Sequence, residues 1–248
     1  MIKITCVKYI NSTPFIDGLT EAAAANPIVE LSLDMPSEGA RKIRDKQVDI
    51  GLVPVAVLPQ LPEYSLVSHF CISALREVKS VCVFSEVPLD EITDILLDYQ
   101  SLSSVTLVQV LNRFHWKKNI RFLPAPHGFI DDISGTVAGV VIGDRTFGLH
   151  EKFRYVYDLS EEWYRYTGLP FVFAAWVSVN PALKKEDVEW MNAAFEKGIQ
   201  GIEKKKDQLM PPLAPFDYYG YLTQNIHYNL GDAERKAMQL FHSLMGKL

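Results

Sequence analysis

The sequence predicts an α/β fold of two lobes, the second inserted into the first. Three observations predict it. Strand and helix signals alternate through the first part of the chain. The alternation restarts after KSVCVFSEVP, which begins at Lys79. From Lys184 onward the pattern reads as all-helical, returning the chain to the first lobe. The second lobe is expected to cover residues 86–174, and the first to combine 1–85 with 175–248. The cleft between two such lobes is a natural ligand site.

Each element follows from its pattern. IKITCV from Ile2 reads as a strand, and PFIDGLTEAAAA from Pro14 as a helix opened by proline in its first turn. IVELSLD from Ile28 alternates with period two, a strand. PSEGARKIRDK from Pro36 is a short helix with Ser37 as candidate N-cap. VDIGLVPV from Val48 is nearly continuous in apolar residues, as a buried parallel strand should be. After the strand at Lys79 come ITDILLD as strand, SSVTLVQVLNRFH as helix, NIRFLPA as strand and VAGVVIGD as strand. LSEEWYRYTG from Leu159 is a helix stopped at Gly168, and PFVFAAWVSV from Pro170 is a strand. The strands at Lys79 and Pro170 are the expected crossings between lobes. Val188, Met191, Phe195, Ile199 and Ile202 recur at three- and four-residue spacing, as do Ala233, Ala237, Leu240 and Leu244, so each set marks one face of a helix.

Composition excludes several classes. The 248 residues are 48% hydrophobic and 22% charged, so the chain folds rather than staying disordered. The net charge of −5 disfavours nucleic acid as a partner. The longest nearly apolar run, 12 residues from Gly168, is too short for a membrane helix, which needs about 20. The opening MIKITCVKYINSTPF has no basic region followed by an apolar one, which leads to the expectation of a cytoplasmic protein. Cys6, Cys71 and Cys82 lie in apolar strand-like stretches and read as buried reduced thiols. The six histidines form no HxxxH or HExxH, and neither GxGxxG, GxxxxGK[ST] nor GxSxG occurs, so no metal or organic cofactor is expected. Gly135, Gly139 and Gly143 form a GxxxGxxxG spacing that reads as close backbone packing.

The informative stretch is Tyr9-Ile10-Asn11-Ser12-Thr13-Pro14-Phe15, between the first strand and the first helix. Asn11 and Ser12 put side-chain and backbone donors at a helix N-terminus, an anion-binding position, with simple capping as the alternative. With segments downstream it resembles the chorismate dehydratase family of menaquinone biosynthesis, on the futalosine route. That family reads aromatic-Leu-Asn-x-x-Pro-Leu, which YINSTPF fits. The resemblance continues through Pro36-Ser37-Glu38, VDIGLVPV, VKSVCVFSEVPLDEI with Ser80 on the family's serine, SLSSV from Ser101, VVIGD from Val140, and Trp163 to Trp176 with TGLPFVFAAW. These segments span residues 9–176. The sequence departs from the family at Ser101-Leu102-Ser103-Ser104, where relatives usually read Ser-Arg-Thr-Ser, and at Arg145, where relatives often carry a small residue.

The resemblance implies a type II periplasmic-binding-protein-like fold, and a reaction in which chorismate loses water to give 3-[(1-carboxyvinyl)oxy]benzoate. Asn11 and Ser80 are then the expected catalytic residues, and Ser12, Ser103, Ser104 and Asp144 the expected substrate contacts. Ser103 and Ser104 open a helix and suit a carboxylate, or serve only as caps. Asp144 is an alternative acid or base, or a turn-forming residue after its strand. Arg145 is a candidate replacement for the cation missing at Leu102, or a surface arginine. The matched positions contain no His or Glu that is an obvious general base, so the substrate's own enolpyruvyl carboxylate is the expected proton acceptor. The competing expectations are a non-catalytic small-anion-binding protein of the same fold, and the sister dihydroxynaphthoate synthase type. The latter opens with Ser-Pro-Cys-Pro-Asn-Asp, which this chain lacks.

Overall fold

The computed structural model describes residues 1–25, 29–210 and 216–248. The chain begins with β1 (Ile2–Val7), α1 (Thr13–Ala25), β2 (Val29–Asp34), α2 (Pro36–Arg44), β3 (Ile50–Pro54) and β4 (Ser65–Ala74). It continues as β5 (Val81–Ser85), β6 (Asp94–Leu97), α3 (Ser103–Leu111), β7 (Arg121–Pro124), β8 (Val137–Ile142), β9 (Tyr155–Asp158) and α4 (Leu159–Thr167). It ends with β10 (Phe171–Ser178), α5 (Lys185–Gln200), a single turn α6 (Tyr218–Gly220), β11 (His227–Asn229) and α7 (Asp232–Met245).

Two mixed sheets organise these elements, one per lobe. The first has the order β11-β4-β10-β3-β1-β2, and the second β7-β6-β8-β5-β9. β1 pairs in parallel with β2 and β3, and β6 with β7 and β8. β10 runs antiparallel between β3 and β4, and β5 antiparallel between β8 and β9. β3, β5 and β10 are buried along their whole length, which is why their sequences are nearly continuous in apolar residues.

The strand pairing moves the expected lobe boundaries. β5, placed by sequence in the first lobe, belongs to the second sheet, and β10 belongs to the first sheet from Phe171 onward. The chain therefore changes sheets within residues 75–80 and again within 159–170, rather than at 85/86 and 174/175. Both strands are apolar up to a terminal serine, Ser85 and Ser178, so hydrophobicity marks them as buried without saying in which sheet.

Other readings need correction too. β11 interrupts the stretch read as all-helical, and a π-helical turn, Tyr221–Asn225, precedes it. β4 (Ser65–Ala74) and β9 (Tyr155–Asp158) were not anticipated; polar Ser65, Ser68, His69 and Ser73 obscure the pattern of β4. The N-cap of α2 is Met35, with Pro36 at the first helical position, so Ser37 lies inside the helix. Ile28, the first residue of the expected second strand, lies outside the described residues.

One helix pair shows how the first lobe is packed. Phe15 and Leu19, one turn apart on α1, are fully buried, each contributing roughly 1.5–3 kcal/mol. Phe15 meets Trp176, Phe195 and Tyr228 with ring centroids 5.6, 4.8 and 5.4 Å apart. This contact requires α1 and α5 to approach backbone to backbone. A Cβ on Gly18 would fall 1.9 Å from the Ala194 carbonyl oxygen, and one on Gly198 would fall 1.8 Å from that of Pro14. The three cysteines are free and buried, and burial pushes the Cys6 and Cys71 thiols up to about 12, so they stay protonated. Among the described residues no helix is long and apolar enough to cross a membrane.

Candidate functional site

A cavity of about 60 Å³, partly open to solvent, lies where the two lobes face one another. The first lobe supplies the residues after β1 (Tyr9, Asn11, Ser12), the start of α2 (Pro36) and the end of β3 (Pro54). The second supplies the start of α3 and the end of β8 (Ile142, Gly143), and Val78 and Ser80 of the first crossing close the floor. The carboxyl ends of parallel strands β1 and β3 open into this crevice, the usual ligand position in open α/β sheets.

Five of the six expected site residues meet here. Asn11, Ser12, Ser80, Ser103 and Ser104 all line the cavity. Asp144 does not, and it is exposed at the rim. Its Oδ1 accepts the backbone N–H of Ile10 at 3.1 Å, a contact that joins the lobes. Surrounding protein raises its carboxyl above the usual range, and that hydrogen bond partly offsets the effect.

The serines differ in what they hold. Ser103 Oγ donates to the Phe173 carbonyl at 2.9 Å and accepts the Ala56 N–H at 3.3 Å, so it ties α3 to the first lobe. Ser104 receives the cap instead of making one: Ser101 Oγ accepts the Ser104 N–H at 3.1 Å. Among the described residues Ser104 Oγ has no hydrogen-bond partner, which leaves it for a ligand. The start of α3 also brings the positive end of that helix dipole to the wall.

Asn11 and Ser80 are linked by a residue that sequence reasoning missed. The Tyr221 hydroxyl donates to Ser80 Oγ at 2.7 Å, and the Asn11 side chain faces the same phenol. Burial pushes the Tyr221 phenol well above its usual range, so it remains a proton donor. With one lone pair of Ser80 occupied by Tyr221, the serine's own proton is free to point into the cavity. Ser12 Oγ donates to Asn11 Oδ1 at 3.1 Å, which assigns the amide orientation and turns Nδ2 away as a donor. Tyr228 fixes the backbone beneath, donating to the Asn11 carbonyl at 3.1 Å. The only signal for Tyr221 and Tyr228 was a tail rich in tyrosine.

Among the described residues no Lys, Arg, His, Asp or Glu lines the cavity. Arg145 does not fill that gap, since its Nη2 is bound to the buried carboxylate of Asp98. Asp98 also accepts the Ile142 and Gln100 N–H groups, and burial raises its carboxyl above the ordinary value. Among the described residues Tyr9 is the one titratable lining residue. Its hydroxyl donates to Gln100 Oε1 at 2.7 Å across the lobes, and burial holds it above its usual range. Among the described residues no three His, Cys, Asp or Glu side chains gather as a metal-ligand set. The arrangement can therefore bind an anion through hydroxyls, an amide and a helix terminus, and can orient it; it holds no group that exchanges protons near neutral pH.

Comparison with known proteins agrees with this architecture. The chain is similar to protein AF1704 of Archaeoglobus fulgidus, at 12% identity and a TM-score of 0.76, over 99% of this chain and 97% of that one. It is similar to the CA3427 gene product of Candida albicans, described as having the generic periplasmic binding protein fold. There the identity is 11% and the TM-score 0.67, over 100% of this chain and 90% of that one. It is also similar to the alkanesulfonate-binding protein SsuA of Xanthomonas axonopodis pv. citri, at 10% identity and a TM-score of 0.68, over 98% and 90% of the two chains. These likenesses establish the two-lobed periplasmic-binding-protein-like fold. A family model described as menaquinone biosynthesis matches residues 2–247, so the chain belongs to the menaquinone biosynthesis family.

Proposed function

We propose that the protein is a chorismate dehydratase, a lyase that converts chorismate to 3-[(1-carboxyvinyl)oxy]benzoate and water. Family membership supports a step in menaquinone biosynthesis. The observation that carries the specific reading is the cavity wall, where neutral donors from both lobes converge without an acid or base. Chorismate is a dicarboxylate whose dehydration can proceed if one of its own groups takes the proton. A site that only binds and orients suits that chemistry.

In this reading the ring carboxylate rests at the start of α3, against Ser104 and the helix dipole. The proton at the ether-bearing ring carbon leaves for the enolpyruvyl carboxylate. Its electron pair delocalises toward the ring carboxylate, where the donors stabilise the developing charge. The neighbouring hydroxyl departs and combines with the proton as water, and the ring becomes aromatic. The step is redox-neutral. Asn11 Nδ2 and the Ser80 hydroxyl orient the departing hydroxyl and the enolpyruvyl group. Purified protein incubated with chorismate should yield 3-[(1-carboxyvinyl)oxy]benzoate, and Asn11→Ala should lower kcat while the fold is retained. Chorismate that binds and is recovered unchanged would favour a non-catalytic anion-binding protein.

A further inference from the structure

Among the described residues three non-glycine residues have positive φ: Lys46, Lys79 and Lys117. Lys46 follows α2 and Lys117 ends the π-helical turn Asn112–Trp116, positions where a left-handed residue closes a helix. Lys79 has no such role. It lies with φ 62° in the connection between β4 and β5, immediately before Ser80. A left-handed lysine there persists only if its surroundings fix it.

They do so from both sides of the residue. The Lys79 N–H donates to Asp158 Oδ2 at 2.6 Å. His150 Nε2 lies 2.8 Å from the Lys79 carbonyl, and since a carbonyl only accepts, Nε2 carries the proton. The other Asp158 oxygen caps α4, accepting the N–H groups of Ser160 and Glu161 at 3.0 and 3.2 Å. One carboxylate thus ties the first crossing between the lobes to the start of the second. Beyond the clamp, the Ser80 carbonyl accepts the Gly143 N–H at 2.8 Å and its hydroxyl accepts from Tyr221. Val78, Ser80 and Val81 border the cavity, while Lys79 lines a separate hollow with His150 and Asp158.

We infer that Asp158 and His150 clamp Lys79 in its left-handed conformation, and that Asp158 is thereby a positioning residue for Ser80. The inference rests on the proposed reaction for its kinetic readout, but the clamp itself is measurable without substrate.

The test compares wild type, Asp158→Asn, Asp158→Asn with Lys79→Gly, and His150→Leu, with chorismate as the probe. Asparagine keeps one acceptor for the α4 cap and turns an amide toward the Lys79 N–H. Asp158→Asn should lower kcat about 10–100-fold, with a much smaller change in KM. Glycine adopts positive φ without a clamp, so Lys79→Gly should restore much of that kcat, which a purely capping role for Asp158 does not predict. His150→Leu leaves the α4 cap intact and should give a smaller loss of kcat. The Lys79 amide should exchange slowly in wild type and faster in Asp158→Asn. Unchanged kcat in Asp158→Asn, unchanged exchange at Lys79, or a folded double variant no faster than the single one would overturn the clamp. If Asp158→Asn does not fold, wild-type kcat in His150→Leu overturns it. A wild-type protein inert toward chorismate, with Lys79 exchange accelerated in Asp158→Asn, refutes the proposed reaction and supports the clamp.

Discussion

Ser103 and Ser104 are neighbours on α3, both buried, and the structure gives them opposite jobs. Removing the Ser103 hydroxyl leaves the Phe173 carbonyl and the Ala56 N–H without their partner inside the protein. An orphaned buried polar group costs roughly 1–3 kcal/mol. The 3.3 Å bond to Ala56 is the weaker of the two, so Ser103→Ala should cost about 2 kcal/mol in total. For a chain of this size that is a fall in Tm of roughly 4–8 °C. Ser104 Oγ has no partner among the described residues, so Ser104→Ala should stay within about 0.5 kcal/mol of wild type. Its loss should appear in catalysis instead. A hydrogen bond to a charged group is worth about 1.5–3 kcal/mol, which corresponds to roughly a 10–100-fold fall in kcat/KM for chorismate. Thermal unfolding and steady-state kinetics on the two variants separate the effects. A Ser104→Ala protein destabilised as much as Ser103→Ala, or one with wild-type kcat/KM, would refute the assignment.

Other perturbations follow from the same geometry. Tyr221→Phe removes the donor to Ser80 Oγ while keeping the ring, and should lower kcat about 10-fold with the fold retained, as measured by steady-state kinetics. Gly143→Ala places a Cβ 2.6 Å from the Tyr9 ring on a residue with φ 67°, and should cost about 1–3 kcal/mol in denaturant unfolding. Asp158 is raised by burial from 3.8 to about 6, so the folded state holds this proton more tightly than the unfolded chain. Its contribution to stability is therefore fully present below about pH 4 and is lost as pH rises through about 6, on the order of 3 kcal/mol. The difference in unfolding free energy between wild type and Asp158→Asn should change by that amount over this pH range, and a constant difference would contradict it.

Motifs made most of the cavity legible in the sequence. YINSTPF, Ser80 and SLSS sit at strand ends and helix starts, where local geometry already directs donors outward. The partners of those residues were not legible, because they arise from contacts between distant segments. Tyr221 reaches Ser80 across 141 positions, and Tyr228 reaches Asn11 across 217. Arg145 read as a spare cation because nothing local showed that Asp98, 47 positions earlier, is buried beside it. Asp144 was misplaced for the same reason, since its partner is the Ile10 backbone of the other lobe. The inserted lobe was legible in the restart of the strand–helix pattern. The sheet holding β5 was not, because a nearly continuous apolar strand suits the centre of either one.

In the proposed reaction a cavity of neutral donors works by positioning, with the substrate supplying its own base. The dependence of kcat on pH tests this most directly. Among the described residues none that lines the cavity exchanges a proton near neutrality, so chorismate turnover should be level from about pH 6.5 to 8.5. A bell-shaped profile with a limb near pH 7, or no conversion of chorismate across the range, would contradict the account.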